Sequence, residues 1–169
     1  IEKGYEDITV QDLIDRADIG RSTFYSHYVD KEELLLDNIG ELRDFLKQQI
    51  AEQIDSIDGG DFRFGFSIAI LQHVQGHKLV YKATAGKQSG VLVLHHIKQM
   101  FTELVQEEMA AHRSNTSGSS SVIPLDVAIE FVVNTMLTLI YWWMDDKRIT
   151  RSAKEIDQMF HQLVLSGIN

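Results

Sequence analysis

Residues Ile8 to Lys31, ITVQDLIDRADIGRSTFYSHYVDK, constrain the fold more than any other stretch of the chain. Val10, Leu13, Ile14 and Ala17 stand at i, i+3, i+4 and i+7, the spacing of one helical face, and Thr9 before them is a good N-cap. The spacing predicts a short helix. Asp18-Ile19-Gly20 interrupts it, with a glycine that tolerates the dihedrals of a tight turn and an isoleucine able to plug the angle between two helices. A second helix over Arg21 to Tyr28 sets Phe24 and Tyr28 four apart on one face, as core anchors, and leaves Arg21, Ser22, Tyr25 and Ser26 largely on others. A corner that only packs has no need of several phosphate-capable donors on one exposed side. The pair is therefore read as a helix-turn-helix that enters DNA.

A long helical pattern follows from Lys31 to about Ile57, with Leu34, Leu35, Ile39, Leu42, Phe45, Leu46, Ile50 and Ile54 on its stripe. Asp30 and Glu33 are spaced as a capping box at its start. Asp58-Gly59-Gly60 stops it, and Asp61 can cap the next helix, Phe62 to Gln75. A short helix over His77 to Thr84 ends at Ala85-Gly86, and a long one runs from Gln88 to Ala111. Ser114 to Ser121 is a low-complexity polar loop. Pro124 suits the first turn of a helix reaching Asp145, apolar on nearly every face and so buried on more than one side. Asp126, Glu130 and Asn134 inside it argue against a membrane span. The last helix, Arg151 to Ser166, is amphipathic. The fold class is all-α: a helix-turn-helix headpiece over residues 1–36 joined to a helical body over 37–169.

The patterned positions resemble a known family. Thr9-Val10, Leu13-Ile14, Ala17, Ile19, Ser22-Thr23-Phe24-Tyr25, His27-Tyr28 and Lys31-Glu32-Glu33-Leu34 look like the TetR (tetracycline-repressor-like) pattern of a helix-turn-helix running into a long helix. The resemblance implies a first helix before Ile1-Glu2-Lys3-Gly4-Tyr5, most of it outside this sequence. More loosely, YKATAGKQSGVLVLHHI and IYWWMDDKRITRSAKEI are similar to the branch containing dihydroxyacetone-kinase regulators. Family membership implies a cytoplasmic transcriptional regulator, read as a repressor, that binds a double-stranded operator. It implies a homodimer through the last two helices and a small-molecule effector bound among the middle helices.

If Arg21 to Tyr28 lies in the major groove, Arg21 and Ser22 reach base edges, an arginine being able to grip guanine with two bonds. Thr23, Tyr25, His27 and Lys31 match positions that contact phosphates in the family, and Thr9 can add another. For the effector pocket the candidates are Phe66, Ile70, His73, Tyr81, His95, Met100, Met136 and Trp142, apolar walls with a few polar groups. The alternative for each is plain core.

Other classes of chemistry find little support. The seven histidines invite a metal, but His73 and His77 straddle Gly76, which argues against a common face, and His95 and His96 are adjacent and point apart. No metal or cofactor is expected. Without cysteine, disulfide and thiolate chemistry are excluded. No nucleophile elbow, P-loop, dinucleotide fingerprint or catalytic carboxylate pair occurs, so an enzyme is not expected. The formal net charge of −9 opposes general affinity for nucleic acid. Within residues 1–31, Lys3, Arg16, Arg21 and Lys31 face seven acids, a net −3. That charge leaves open a co-regulator that works through protein contacts and keeps the headpiece as scaffold.

Overall fold

The computed structural model describes residues 5–54, 62–78, 90–115, 123–145 and 151–168. Among these residues there are seven α-helices and no strand, preceded by a 3-10 turn at Tyr5–Asp7. The headpiece contributes α1 (Val10–Ala17) and α2 (Arg21–His27), and α3 (Lys31–Ile54) leads into the body. The body adds α4 (Gly65–Gly76), α5 (Gly90–Asn115), α6 (Leu125–Asp145) and α7 (Ala153–Ile168).

Helix α4 is the hub, packing against α3, α5, α6 and α7. Its sequence explains why: Phe66, Ser67, Ala69, Ile70, Leu71 and Val74 are all buried, covering too much of its circumference for a surface helix. Phe64, Phe66, Phe101 and Phe160 meet around its first turn with ring centroids 5.9–6.0 Å apart. Such edge-to-face and tilted contacts suit the ring quadrupoles. The first turn of α4 has no side-chain cap of its own. Glu108 of α5 supplies one from outside, accepting from the Gly65 N–H at 2.6 Å and the Phe66 N–H at 2.9 Å. His161 of α7 accepts from the Phe64 N–H at 3.0 Å, and Ser67 Oγ donates to Phe64 O at 2.7 Å while also pairing with Asp157. Burial pushes the Glu108 carboxyl up to about 7, against the opposing pull of the two backbone N–H donors.

Several sequence expectations shift. Helix α4 starts at Gly65 rather than Phe62, since Phe64 is extended and docks on the core together with Phe62 before the helix begins. Helix α5 continues through Ser114 and Asn115, where a loop was expected to open. Helix α7 starts at Ala153 rather than Arg151, because Ser152 and Glu155 form a reciprocal cap: Ser152 N–H donates to Glu155 Oε2 at 2.8 Å and Glu155 N–H to Ser152 Oγ at 3.3 Å. The end of the long helix beyond Ile54, the Asp58-Gly59-Gly60 stop, the Asp61 cap, the remainder of the helix after Lys78, the Ala85-Gly86 break and most of the polar loop lie outside the described residues. Leu125–Met144 of α6 is long and apolar enough to cross a membrane, but 56% of that stretch is buried inside the fold. Ala128, Ile129, Val132, Val133, Met136 and Ile140 sit in the core.

Candidate nucleic-acid interface

The headpiece is held by local polar bonds around two buried residues, Ile14 and Phe24. Thr9 and Asp12 form a full capping box at the start of α1. The Thr9 hydroxyl donates to Asp12 Oδ2 at 2.6 Å and accepts from the Asp12 N–H at 3.1 Å. The turn after α1 differs from expectation. Asp18, not Gly20, takes the left-handed conformation, at φ 53° and ψ 45°. Its N–H and that of Ile19 both donate to Ile14 O, which closes the helix end, and a short polar side chain is among the few that tolerate this region. Gly20 has an ordinary extended backbone and serves as the N-cap of α2. Ile19 remains 40% exposed and so does not plug the helix angle.

Helix α2 exposes a polar side. Phe24 is buried, whereas Arg21, Ser22, Thr23, Tyr25, Ser26 and His27 are exposed, Tyr25 by 51%. Among the described residues Arg21 makes a long bond to Gln11 Oε1, at 3.4 Å, and it is exposed. Ser26 donates to Thr23 O at 2.7 Å, so its hydroxyl is partly engaged in the helix. Tyr28 ends the helix as its C-cap rather than continuing it, half-buried, with its hydroxyl donating to Asp37 Oδ2 at 2.7 Å. It anchors α2 to α3 through that bond as well as through its ring.

Lys31 is used differently from the expected phosphate contact. Its ammonium donates to Tyr5 O at 3.0 Å, Glu6 O at 3.1 Å and Ile8 O at 2.9 Å, and it stands 4.7 Å over the Tyr5 ring. An ammonium has three protons, and all three are directed at the backbone. Lys31 thereby ties the first turn of α3 to the start of the headpiece. Asp30 Oδ1 accepts from the Glu32 and Glu33 N–H groups, and Glu33 reaches back to the Val29 N–H, one residue beyond the capping-box partner. Asp12, Asp30 and Glu33 thus cap backbone N–H groups, whereas Asp15 accepts from the Gln11 side-chain amide one turn away on α1. Helix α2 itself carries no acid.

The described effector candidates fall in different places in the fold. Phe66, Ile70, Met100 and Met136 belong to the core, each 3% exposed or less. His73 is half-buried, 6.1 Å from the Phe45 ring, and burial lowers its pKa with a further push from His77. Its ring stacks on His77 at 4.4 Å, so the two share a face despite Gly76. The helix keeps its turn as far as the cap at His77. His95 is exposed and Trp142 is 39% exposed, both away from the core. Tyr81 lies outside the described residues. Among the described residues there is a groove of about 230 Å³ between α3 and α5, with Met100 of the expected set in its lining. Sequence reasoning missed it. The available signal was Gly40, a glycine inside the apolar stripe of a long helix.

A small helix-turn-helix with an exposed polar helix, fastened by α3 to an all-α body, is the architecture of a transcriptional regulator. Comparison with known proteins narrows the class. A model of bacterial regulatory proteins of the tetR family matches residues 1–37, and a model of a transcriptional regulator C-terminal region matches residues 64–166. Over 178 aligned residues the chain is 21% identical to the HTH-type transcriptional repressor KstR2 of Mycolicibacterium smegmatis, covering 99% of this chain and 83% of that protein. A solved structure described as a TetR-family transcriptional regulator, from Syntrophomonas wolfei, superposes with a TM-score of 0.76 at 17% identity, covering 99% of this chain and 87% of that one; it speaks for the fold alone. The chain belongs to the TetR family of transcriptional regulators.

Proposed function

We propose that the chain is a cytoplasmic, homodimeric repressor that holds a palindromic operator through α2 and releases it when a small molecule binds the body. The observation that carries this is the exposed, acid-free face of α2, RSTFYSH, on an otherwise acidic chain. Arg21 and Ser22, at its N-terminal end, are assigned to base edges, and Thr23, Tyr25 and His27 to phosphates. Thr9 joins them from α1 at the expense of its capping bonds. Lys31 is assigned to holding the headpiece rather than to phosphate. The working division is a headpiece over residues 1–36 and an effector-binding and dimerisation body over 37–169. Val127, Phe131 and Tyr141 run along one side of α6 at 54%, 42% and 40% exposure, and Leu163 of α7 is 52% exposed. That is more apolar surface than a lone subunit keeps on adjacent helices, and it supports pairing of two copies there.

Operator selection from random DNA tests the reading. Recovery of a palindrome bound by the wild type, with Arg21→Ala losing about tenfold in affinity, is expected. No enriched sequence at low salt would overturn it. The net charge of −9 favours a second reading, a co-regulator that meets a basic protein partner. It would reveal itself by protein capture that survives Arg21→Ala and by no DNA shift at low salt. The similarity to dihydroxyacetone-kinase regulators, carried by residues 81–97 and 140–156, is a further proposal; selected operators lying beside such a kinase gene would support it.

A further inference from the structure

We propose that Gln11 and Asp15 of α1 are positioning residues for DNA reading, which together aim the Arg21 guanidinium at a guanine. The inference rests on the operator-binding reading above and extends it to side chains outside α2. Arg21 is the one lysine or arginine of α2, and it stands at the first position of that helix. A long, flexible side chain has many rotamers, and ordering it on binding costs affinity. A guanidinium already directed before DNA arrives loses less.

The direction comes from the preceding helix. Arg21 Nη2 donates to Gln11 Oε1 at 3.4 Å, and Gln11 Nε2 donates to Asp15 Oδ1 at 2.7 Å. Gln11 and Asp15 are four residues apart, one above the other on an exposed face of α1. Asp15 decides which way the Gln11 amide faces. A carboxylate can only accept, so it takes the NH2 end and leaves the carbonyl oxygen for the guanidinium.

The use of an amide keeps Arg21 available. Among the described residues the guanidinium has no carboxylate partner, in a headpiece with seven acids over residues 1–31. Direct pairing with one of them would set a charge-assisted, two-bonded contact in competition with guanine. A neutral oxygen at 3.4 Å, longer than an ordinary N–H···O bond, steers the group and gives way easily. The arrangement also accounts for an acid beside the reading residue, where a bare negative charge would only repel phosphate.

NMR on the free protein and binding to the selected operator test this together, on the full chain. Without DNA, Gln11→Ala and Asp15→Ala should each lower the order parameter of the Arg21 Nε–H group. Asp15→Asn, which keeps an accepting oxygen, should leave it at the wild-type value. With DNA, the operator is compared with a copy in which one guanine is replaced, the guanine whose preference Arg21→Ala abolishes. Gln11→Ala and Asp15→Ala should lower the ratio of the two affinities by about threefold, and Asp15→Asn should keep it. Mere loss of a negative charge would instead tighten binding to both DNAs and leave the ratio alone. In the Arg21→Ala background Gln11→Ala should not move the ratio further. The proposal is overturned by an Arg21 order parameter unchanged in the alanine variants, by an unchanged ratio, by an operator whose base preferences survive Arg21→Ala, or by a Gln11→Ala effect that persists without Arg21. A changed preference at another base pair in Gln11→Ala also overturns it, since Gln11 would then read DNA itself. An Arg21 that loosens as expected in a chain that enriches no operator strikes the operator reading alone. An enriched operator beside an Arg21 that never loosens strikes the positioning roles alone.

Discussion

Two side chains carry charge in ways that their types alone do not announce. Lys31 places all three ammonium protons on the backbone carbonyls of Tyr5, Glu6 and Ile8. Charge-assisted bonds of this kind are the stronger ones, so Lys31→Met should cost about 2 kcal/mol of headpiece stability, read as faster amide exchange in α1 and α2. If Lys31 instead grips phosphate, the variant will keep its exchange protection and lower the salt slope of operator binding by about one unit. Glu108 is the second case. Its carboxyl, held near 7 by burial, prefers its proton in the folded state, whereas in the unfolded chain it ionises near 4.5. A raised carboxyl pKa means that this contribution is present below about 4.5 and is lost as pH climbs through 7, on the order of 3 kcal/mol. Urea unfolding at pH 5 and pH 8 should show wild-type stability falling across that window and a flatter response in Glu108→Gln. Equal slopes would refute the assignment.

Among the helices, those with strong local signals were legible and those set by distant partners were not. Thr9 before Val10-x-x-Leu13-Ile14 marks α1, and the capping box found there is local chemistry between residues three apart. Thr9→Ala should therefore cost about 1 kcal/mol in thermal unfolding while leaving the α2 surface in place. The Asp18-Ile19-Gly20 break was also legible, but not which residue bends. A glycine is the default for left-handed backbone, yet the hydrogen bonds to Ile14 O put Asp18 there. The start of α4 was misjudged for a different reason. Its first N–H groups are capped by Glu108 and His161, 43 and 97 residues away in sequence, and no local pattern reports such a partner. The Ser152–Glu155 box that starts α7 was legible in principle, as a serine three residues before a glutamate ahead of an apolar stripe.

At the scale of the molecule, the acidic balance of the chain and its DNA-reading part coexist because charge is distributed by role. Asp12, Asp15, Asp30 and Glu33 bond to their own helices' N–H groups or neighbouring amides, and α2 is left without an acid. The outer side of α6 and α7 is the second large-scale feature. Phe131→Lys together with Leu163→Glu should convert a dimer to a monomer in sedimentation velocity and lower operator affinity by more than about tenfold, since two linked headpieces bind far better than one. A variant that stays dimeric would move the interface elsewhere.

By itself the sequence determined the all-α class, the helix-turn-helix and most helix spans, because periodicity, caps and breakers act over a few residues. Tertiary structure decided the rest. Whether Phe66 and Met136 line a pocket or fill the core, whether His95 turns inward, and whether Lys31 faces DNA or its own backbone all depend on what another helix brings within a few ångströms. The headpiece was announced by twenty-four contiguous letters, from Ile8 to Lys31. The groove over Gly40 was not, because its two walls are stripes about 60 residues apart, and only packing α3 on α5 sets one opposite the other.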